Sequence, residues 1–181
     1  MPQVDYYTAE MVRALPDDGK RYETVHGELL VTPTPGGFHQ RTLARLIGVL
    51  GPYLAAAGLE DWLASPADVS FGDDILVQPD LFVADCEVFN RTGAWADIRR
   101  LYLVIEILSP SSVRADCFTK RRLYQEQQIP EYWVVDIEQK QVEVWTPELH
   151  FPVIERERLV WRHPACEPAC VVDLASLFAR G

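Results

Sequence analysis

Long apolar runs are missing from this 181-residue chain. That excludes a bundle of membrane-spanning helices, each of which needs about 20 consecutive apolar residues. The first residues, MPQVDYYTAEMVRALPDD, lack the basic start and apolar centre of a secretory signal peptide, so a cytoplasmic location is expected. Cysteine is scarce. Cys86, Cys117, Cys166 and Cys170 make no paired CxxC pattern, and His163 beside CEPAC leaves a zinc set incomplete. Free thiols are therefore expected. Repeats, low-complexity tracts and linker-like shifts in composition are also absent, which leaves a single domain over residues 1–181 as the expected organisation. Hydrophobic residues make up 48% of the chain, enough to build a core and to exclude disorder.

Positive charge is in short supply as well. The formal net charge is −10, which argues against a nucleic-acid partner if charge is averaged over the whole surface. Its distribution is uneven, however. Between Arg91 and Arg122 stand Arg91, Arg99, Arg100, Arg114, Lys120, Arg121 and Arg122 against Asp97, Glu106 and Asp116, a local excess of four positive charges.

Patterning predicts helices and strands in mixed order. Thr8 caps a short helix, TAEMVRALP. RYETVHGELLVTP reads as a hairpin turning at His26-Gly27. Leu43, Leu46, Ile47, Leu50 and Leu54 fall at helical spacing in FHQRTLARLIGVLGPYLAAAG, a helix with one buried face. Strands are expected at LEDWLAS, ADVSFG and ILVQPDLFVAD, then a loop over DCEVFNRTGAWADIRR. A buried strand over 101–108, a helix from about Ser112 to Gln127, and a hairpin in EYWVVDIEQKQVEVWTP follow. The tail adds one or two strands and a last helix, SLFARG. The fold class is α/β, a mixed β-sheet flanked by helices.

One residue breaks this pattern. LYLVIEIL, residues 101–108, is apolar at every position but Glu106. A carboxylate inside a strand buried on both faces costs several kcal/mol or more unless it is paired, hydrogen-bonded or metal-bound. QPDLFVAD places Asp80 at the start of another apolar strand, after Pro79. If the two strands are adjacent, Asp80 and Glu106 meet, and two such carboxylates in a partly dry site suit Mg²⁺ or Mn²⁺. DCFTKRRLY spaces Asp116, Lys120 and Tyr124 four residues apart on one helix face. Lys120 reaches the carboxylates only if that helix lies back across the sheet.

The ordered string GEL, a histidine in the following helix, PD, ExLSPS, DxxxKxxxY and EYWVVD, from about Tyr22 to Trp145, resembles the Uma-type restriction endonuclease family of the PD-(D/E)XK nuclease superfamily. The resemblance implies a restriction-endonuclease-like core and metal-dependent hydrolysis of phosphodiesters in DNA, with Mg²⁺ or Mn²⁺ as cofactor and a homodimer as the assembly. By the same resemblance Asp80, Glu106 and the Ile107 carbonyl ligate the metal. Lys120 orients or activates the attacking water, and Glu28 of GEL matches an upstream acidic position. Leu108 stands where the superfamily signature carries lysine, so Lys120 on the next helix is read as its replacement.

Each residue also has a plainer reading. Glu106 could be satisfied by Ser109, Ser111 or an arginine, Asp80 could simply start a strand or turn, and Lys120 could pair with Asp116 on a helix surface. His39 is a substrate or metal contact, or else a cap or core residue. Tyr124 and Arg121 are candidate substrate contacts, and Trp95 could stack on a base. The rival to an enzyme is a catalytically silent protein that keeps the fold as a binding or structural module. A third reading is a carboxylate-pair hydrolase of some other substrate.

Overall fold

A computed structural model describes residues 6–59, 63–85 and 100–179. The chain opens with helix α1 (Ala9–Arg13), where the Thr8 side chain accepts a hydrogen bond from the Met11 N–H. Strands β1 (Arg21–Val25) and β2 (Glu28–Thr32) form the expected hairpin, in register from Arg21↔Thr32 to Val25↔Glu28. His26 and Gly27 turn it with φ of 50° and 81°, the left-handed pair that matches strand twist in a two-residue loop. A Cβ at Gly27 would run into the Tyr6 ring, so both the turn and this packing require glycine.

Helix α2 (Gly37–Ala55) buries Leu43, Leu46, Leu50 and Leu54 as its spacing predicts, whereas Ile47, expected on the same face, is exposed. Strand β3 is described over Leu63–Ala64, and residues 60–62 of LEDWLAS lie outside the described residues. β4 (Val69–Gly72) and β5 (Ile75–Val77) follow.

The segment ILVQPDLFVAD is not one strand. It divides into β5 and β6 (Leu81–Ala84), and the two halves join different sheets. Pro79 has no N–H to give a ladder, and the Gln78 N–H goes instead to Glu23 Oε1 at 2.7 Å. The break sets Asp80 at the crossing between two sheets.

The larger sheet has six strands. It takes in β7 (Leu101–Ile107), β8 (Tyr132–Asp136), β9 (Gln141–Trp145) and β10 (Val153–Glu155), in the order β10-β9-β8-β7-β6-β3. β7 lies antiparallel to β6 and parallel to β8, and every residue of it is buried. The second sheet, β2-β1-β5-β4, is antiparallel.

Alternation along the central strands divides the core in two. Leu81, Val83, Leu103 and Ile105 pack with α2 and with the tail strands β11 (Arg158–Trp161) and β12 (Cys170–Asp173). Phe82, Val104 and Val134 pack on the other side with Val25, Leu30, Val77, Leu123 and Tyr124. Glu106 alternates with Ile105 and Ile107, so it shares the face of Val104.

The segment after β7 departs from a plain α-helix. Residues Ala115–Lys120 form a π-helical stretch that runs directly into α3 (Arg121–Glu126). A π turn inside a helix carries an extra residue per turn and is frequent at functional sites. This one holds both Asp116 and Lys120.

The tail has three strands rather than one or two. Its last helix, α4 (Leu174–Leu177), starts earlier than SLFARG because the Asp173 side chain caps it by accepting from the Ser176 N–H at 2.7 Å. Of the expected loop DCEVFNRTGAWADIRR, residues 86–99, with Trp95 and the basic residues Arg91 and Arg99, lie outside the described residues. The described cysteines Cys117, Cys166 and Cys170 are free thiols. Among the described residues no helix is long and apolar enough to cross a membrane.

Candidate active site

Leu81 of β6 pairs with Ile105 of β7, which brings the residue before Leu81 level with the residue after Ile105. Asp80 and Glu106 therefore meet. The Asp80 N–H donates to Glu106 Oε2 at 3.3 Å, and the Ile107 N–H donates to Asp80 Oδ2 at 2.9 Å. Each carboxylate is thus oriented by backbone of the other's strand. Ser65 Oγ donates to the Asp80 carbonyl and fixes the backbone at this point.

Lys120 arrives from the helix and meets the geometric condition set by the sequence. Its Nζ lies 2.9 Å from Glu106 Oε1, 2.9 Å from Glu23 Oε2 and 3.4 Å from Asp116 Oδ1. The contact with Glu23 is at ion-pair distance but off the line of a hydrogen bond, so its attraction is coulombic. Glu23 Oε1 is held by the Gln78 N–H. Tyr124 OH donates to Glu106 Oε1 at 3.3 Å from behind.

Two further side chains approach Asp80. His39 Nε2 lies 2.9 Å from Oδ2, and Arg21 Nη1 lies 2.9 Å from Oδ1. Arg21, His39, Asp80, Glu106, Ile107, Asp116 and Lys120 line one open cleft. Its rim is closed by Pro33–Gly36, between β2 and α2, and by the loop Ser109–Ser112.

The electrostatics of this group are unbalanced. Glu23, Asp80, Glu106 and Asp116 are buried together with Lys120, and Arg21 is the other permanent cation in contact. Fully ionised, the four carboxylates exceed Lys120 and Arg21 by two negative charges. Burial pushes the Glu106 carboxyl well above its ordinary range, against the pull of Lys120. Asp116 is raised for the same reason, against Lys120 and Ser112. Asp80 goes the other way. Burial raises it, but His39, Arg21 and the Ile107 N–H together bring it down to about 2. Lys120 is fully buried, yet Glu106, Glu23 and Asp116 hold its pKa well above the usual lysine value. It is a fixed cation here and not a proton acceptor.

Among the described residues, no three His, Cys, Asp or Glu side chains converge as a ready-made metal cage. The donor set nevertheless fits Mg²⁺ or Mn²⁺. Such ions are commonly held by one or two carboxylates, with waters and substrate phosphate completing the shell. The two uncompensated charges match one divalent ion. His39 Nδ1 is buried and has no hydrogen-bond partner among the described residues, which leaves an orphaned polar nitrogen on the ring that touches Asp80.

A family model described as "Putative restriction endonuclease" (Uma2) matches residues 9–173. The chain belongs to this family. A solved structure described as "a putative nuclease belonging to DUF820 from Anabaena variabilis ATCC 29413" is similar to it, with a TM-score of 0.71 and 18% identity, covering 95% of this chain and 97% of the other. At that identity the likeness is one of fold. No curated protein matches.

The Uma2 match spans every residue of the cleft, and the structure sorts the candidates read from the sequence. Asp80, Glu106, Ile107, Lys120 and His39 come together. Glu28 does not join them. It sits exposed at the turn end of the hairpin, opposite Val25, and lines an outer groove with Val31, Arg114 and Thr119. Tyr124 stands behind Glu106 in the core. Arg121 stacks on Trp145 at 4.7 Å and donates to Gln125 and to the Cys117 carbonyl, outside the cleft. Of the basic segment, Lys120 is internal and Arg100 lies over the Tyr102 ring, while Arg114 and Arg122 are exposed.

Two residues of the Uma2 site went unread in the sequence, Glu23 and Arg21. The signal for Glu23 was parity: it alternates with Val25 in RYETV, so a buried Val25 places Glu23 on the same inward face. The same parity puts Arg21, two residues before Glu23, on that face.

Proposed function

We propose that this protein is a divalent-metal-dependent endonuclease that hydrolyses phosphodiester bonds in DNA, acting as a single cytoplasmic domain that pairs into a homodimer. The observation that carries the reading is the convergence of Asp80, Glu106 and the fixed cation Lys120 on the wall of an open cleft. Asp80, Glu106 and the Ile107 carbonyl would hold Mg²⁺ or Mn²⁺. Bound there, the ion supplies Lewis-acid polarisation of the phosphate and a nucleophilic water at neutral pH.

The chain's own residues do the rest. Lys120 stays protonated, so it orients the water and offsets charge growing on the phosphate rather than taking a proton. Glu23 and Asp116 hold the Lys120 ammonium against Glu106. His39 fixes the Asp80 carboxylate from the α2 side. The loops Pro33–Gly36 and Ser109–Ser112 bound the space open to a backbone phosphate.

A second reading, a silent nuclease fold acting as a binding or structural module, is favoured by two observations. Glu106 already has Lys120, Tyr124 and the Asp80 N–H as partners, and the net charge of −10 opposes DNA. Incubation of supercoiled plasmid with Mg²⁺ or Mn²⁺ separates the two. The enzyme reading expects cleavage by the wild type that is lost in Asp80→Ala and Lys120→Met. Equal cleavage by wild type and Asp80→Ala, or none by either, rejects it.

A further inference from the structure

The hydrogen bonds around the two carboxylates are not equally easy to exchange. Asp80 Oδ2 takes a backbone N–H from Ile107 and the ring of His39. Glu106 Oε2 takes the Asp80 N–H, and Oε1 takes Lys120 and Tyr124 from the core. Among the described residues Asp80 Oδ1 has one partner, the Arg21 guanidinium.

Arg21 differs from the other cation in its setting. Lys120 is walled in by three carboxylates, whereas the Arg21 side chain keeps 17% of its surface exposed at the cleft. It is tied down through one nitrogen only: Nη1 donates to Asp80 Oδ1 at 2.9 Å and to the Gln78 carbonyl at 3.0 Å. Its Nε and Nη2 donors make no hydrogen bond among the described residues. A planar fork with free donors, on a long rotatable stem, matches the geometry of a phosphate.

We propose that Arg21 is a two-position cation. It occupies Asp80 Oδ1 in competition with the divalent ion, and on displacement it takes a phosphate oxygen of the nucleic-acid backbone. The proposal rests on the metal-dependent nuclease reading and adds to it the residue that couples ion binding to phosphate binding. The physical cause is repulsion. A guanidinium and a divalent ion cannot share one carboxylate oxygen in a partly buried site at low cost.

The test is calorimetric titration of Mn²⁺ into the wild type, Arg21→Met and Arg21→Lys. It is paired with the affinity of a labelled DNA duplex in Ca²⁺ at several salt concentrations. Arg21→Met keeps the stem and removes the charge, and its Mn²⁺ affinity should rise by about 3- to 100-fold, the range of coupling between contacting groups. Arg21→Lys keeps the competing charge and should bind Mn²⁺ like the wild type. Both variants should bind duplex more weakly whatever its sequence, and Arg21→Met should lower the salt slope by about one. If the wild type binds Mn²⁺ and Arg21→Met binds it no more tightly, the two-position proposal is overturned while the metal site stands. The same holds if Arg21→Lys gains as much as Arg21→Met. If the wild type binds no Mn²⁺, the underlying nuclease reading fails, and the proposal with it.

Discussion

Asp80 and Glu106 hold each other through backbone. The Asp80 N–H donates to the Glu106 carboxylate, and the residue after Glu106 donates its N–H to Asp80. Neither acid can turn away without breaking a bond at the junction of β6 and β7. Two carboxylates from different strands are thereby fixed in one place by the sheet itself, which gives the site the rigidity that positioned chemistry requires.

Lys120 is the cation that makes this arrangement tolerable. Lys120→Met leaves Glu23, Glu106 and Asp116 buried without it. Breaking a buried ion pair by removing one member costs about 3–5 kcal/mol. The variant should lose that much stability in urea unfolding at pH 7. Saturating Mn²⁺ should return part of the loss, since an ion bound only by the folded state stabilises it by mass action. A variant as stable as wild type without metal would mean that Lys120 does not compensate these acids.

Glu23 and Glu28 form a controlled comparison within one hairpin. Glu23 is fully buried between the Gln78 N–H and Lys120, while Glu28 is exposed at the turn. Glu23→Gln keeps the acceptor for Gln78 and loses the charge facing Lys120, so a loss of about 1–3 kcal/mol is expected. Glu28→Gln should stay within about 0.5 kcal/mol and leave Mn²⁺ affinity unchanged. Thermal melts and metal titrations of the two variants check both expectations, and a reversal of the order would return Glu28 to the site.

Asp80 predicts a pH dependence. Burial raises its carboxyl, and His39, Arg21 and the Ile107 N–H outweigh burial to bring it from 3.8 to about 2. A carboxyl depressed on folding contributes stability that is full above the unfolded pKa and is lost as pH falls through the folded one. The window is therefore about pH 4 down to about pH 2. At pH 7 the wild type should exceed Asp80→Asn by about 2–3 kcal/mol, and urea unfolding between pH 7 and pH 3 should show the gap narrowing below pH 4. Glu106 and Asp116 are raised less in Asp80→Asn, where the Asp80 charge that helps raise them is gone. A gap that stays constant with pH would assign it to packing rather than charge.

The sequence made the site's principal members legible because burial and charge conflict there. A lone Glu106 in LYLVIEIL is a local contradiction that a site shared with Asp80 resolves. Lys120 was readable from its spacing to Asp116 and Tyr124. What stayed hidden depended on contacts distant along the chain. Parity along RYETV puts Glu23 on the inward face with Val25, but no periodicity reports that its partner is the Gln78 N–H freed by the break at Pro79. The split of ILVQPDLFVAD between two sheets was masked by an unbroken apolar pattern, although Pro79 marked the place. The π turn that carries Lys120 has the same side-chain spacing in sequence as an ordinary helix, so pattern alone could not separate them.

The most direct test of the account is calorimetric titration of Mn²⁺ into the wild type and Asp80→Ala. The account predicts one divalent site per chain in the wild type, with its heat lost in the variant. An absence of binding in the wild type, or equal binding in both proteins, would contradict it and leave Asp80, Glu106 and Lys120 as a self-satisfied structural cluster.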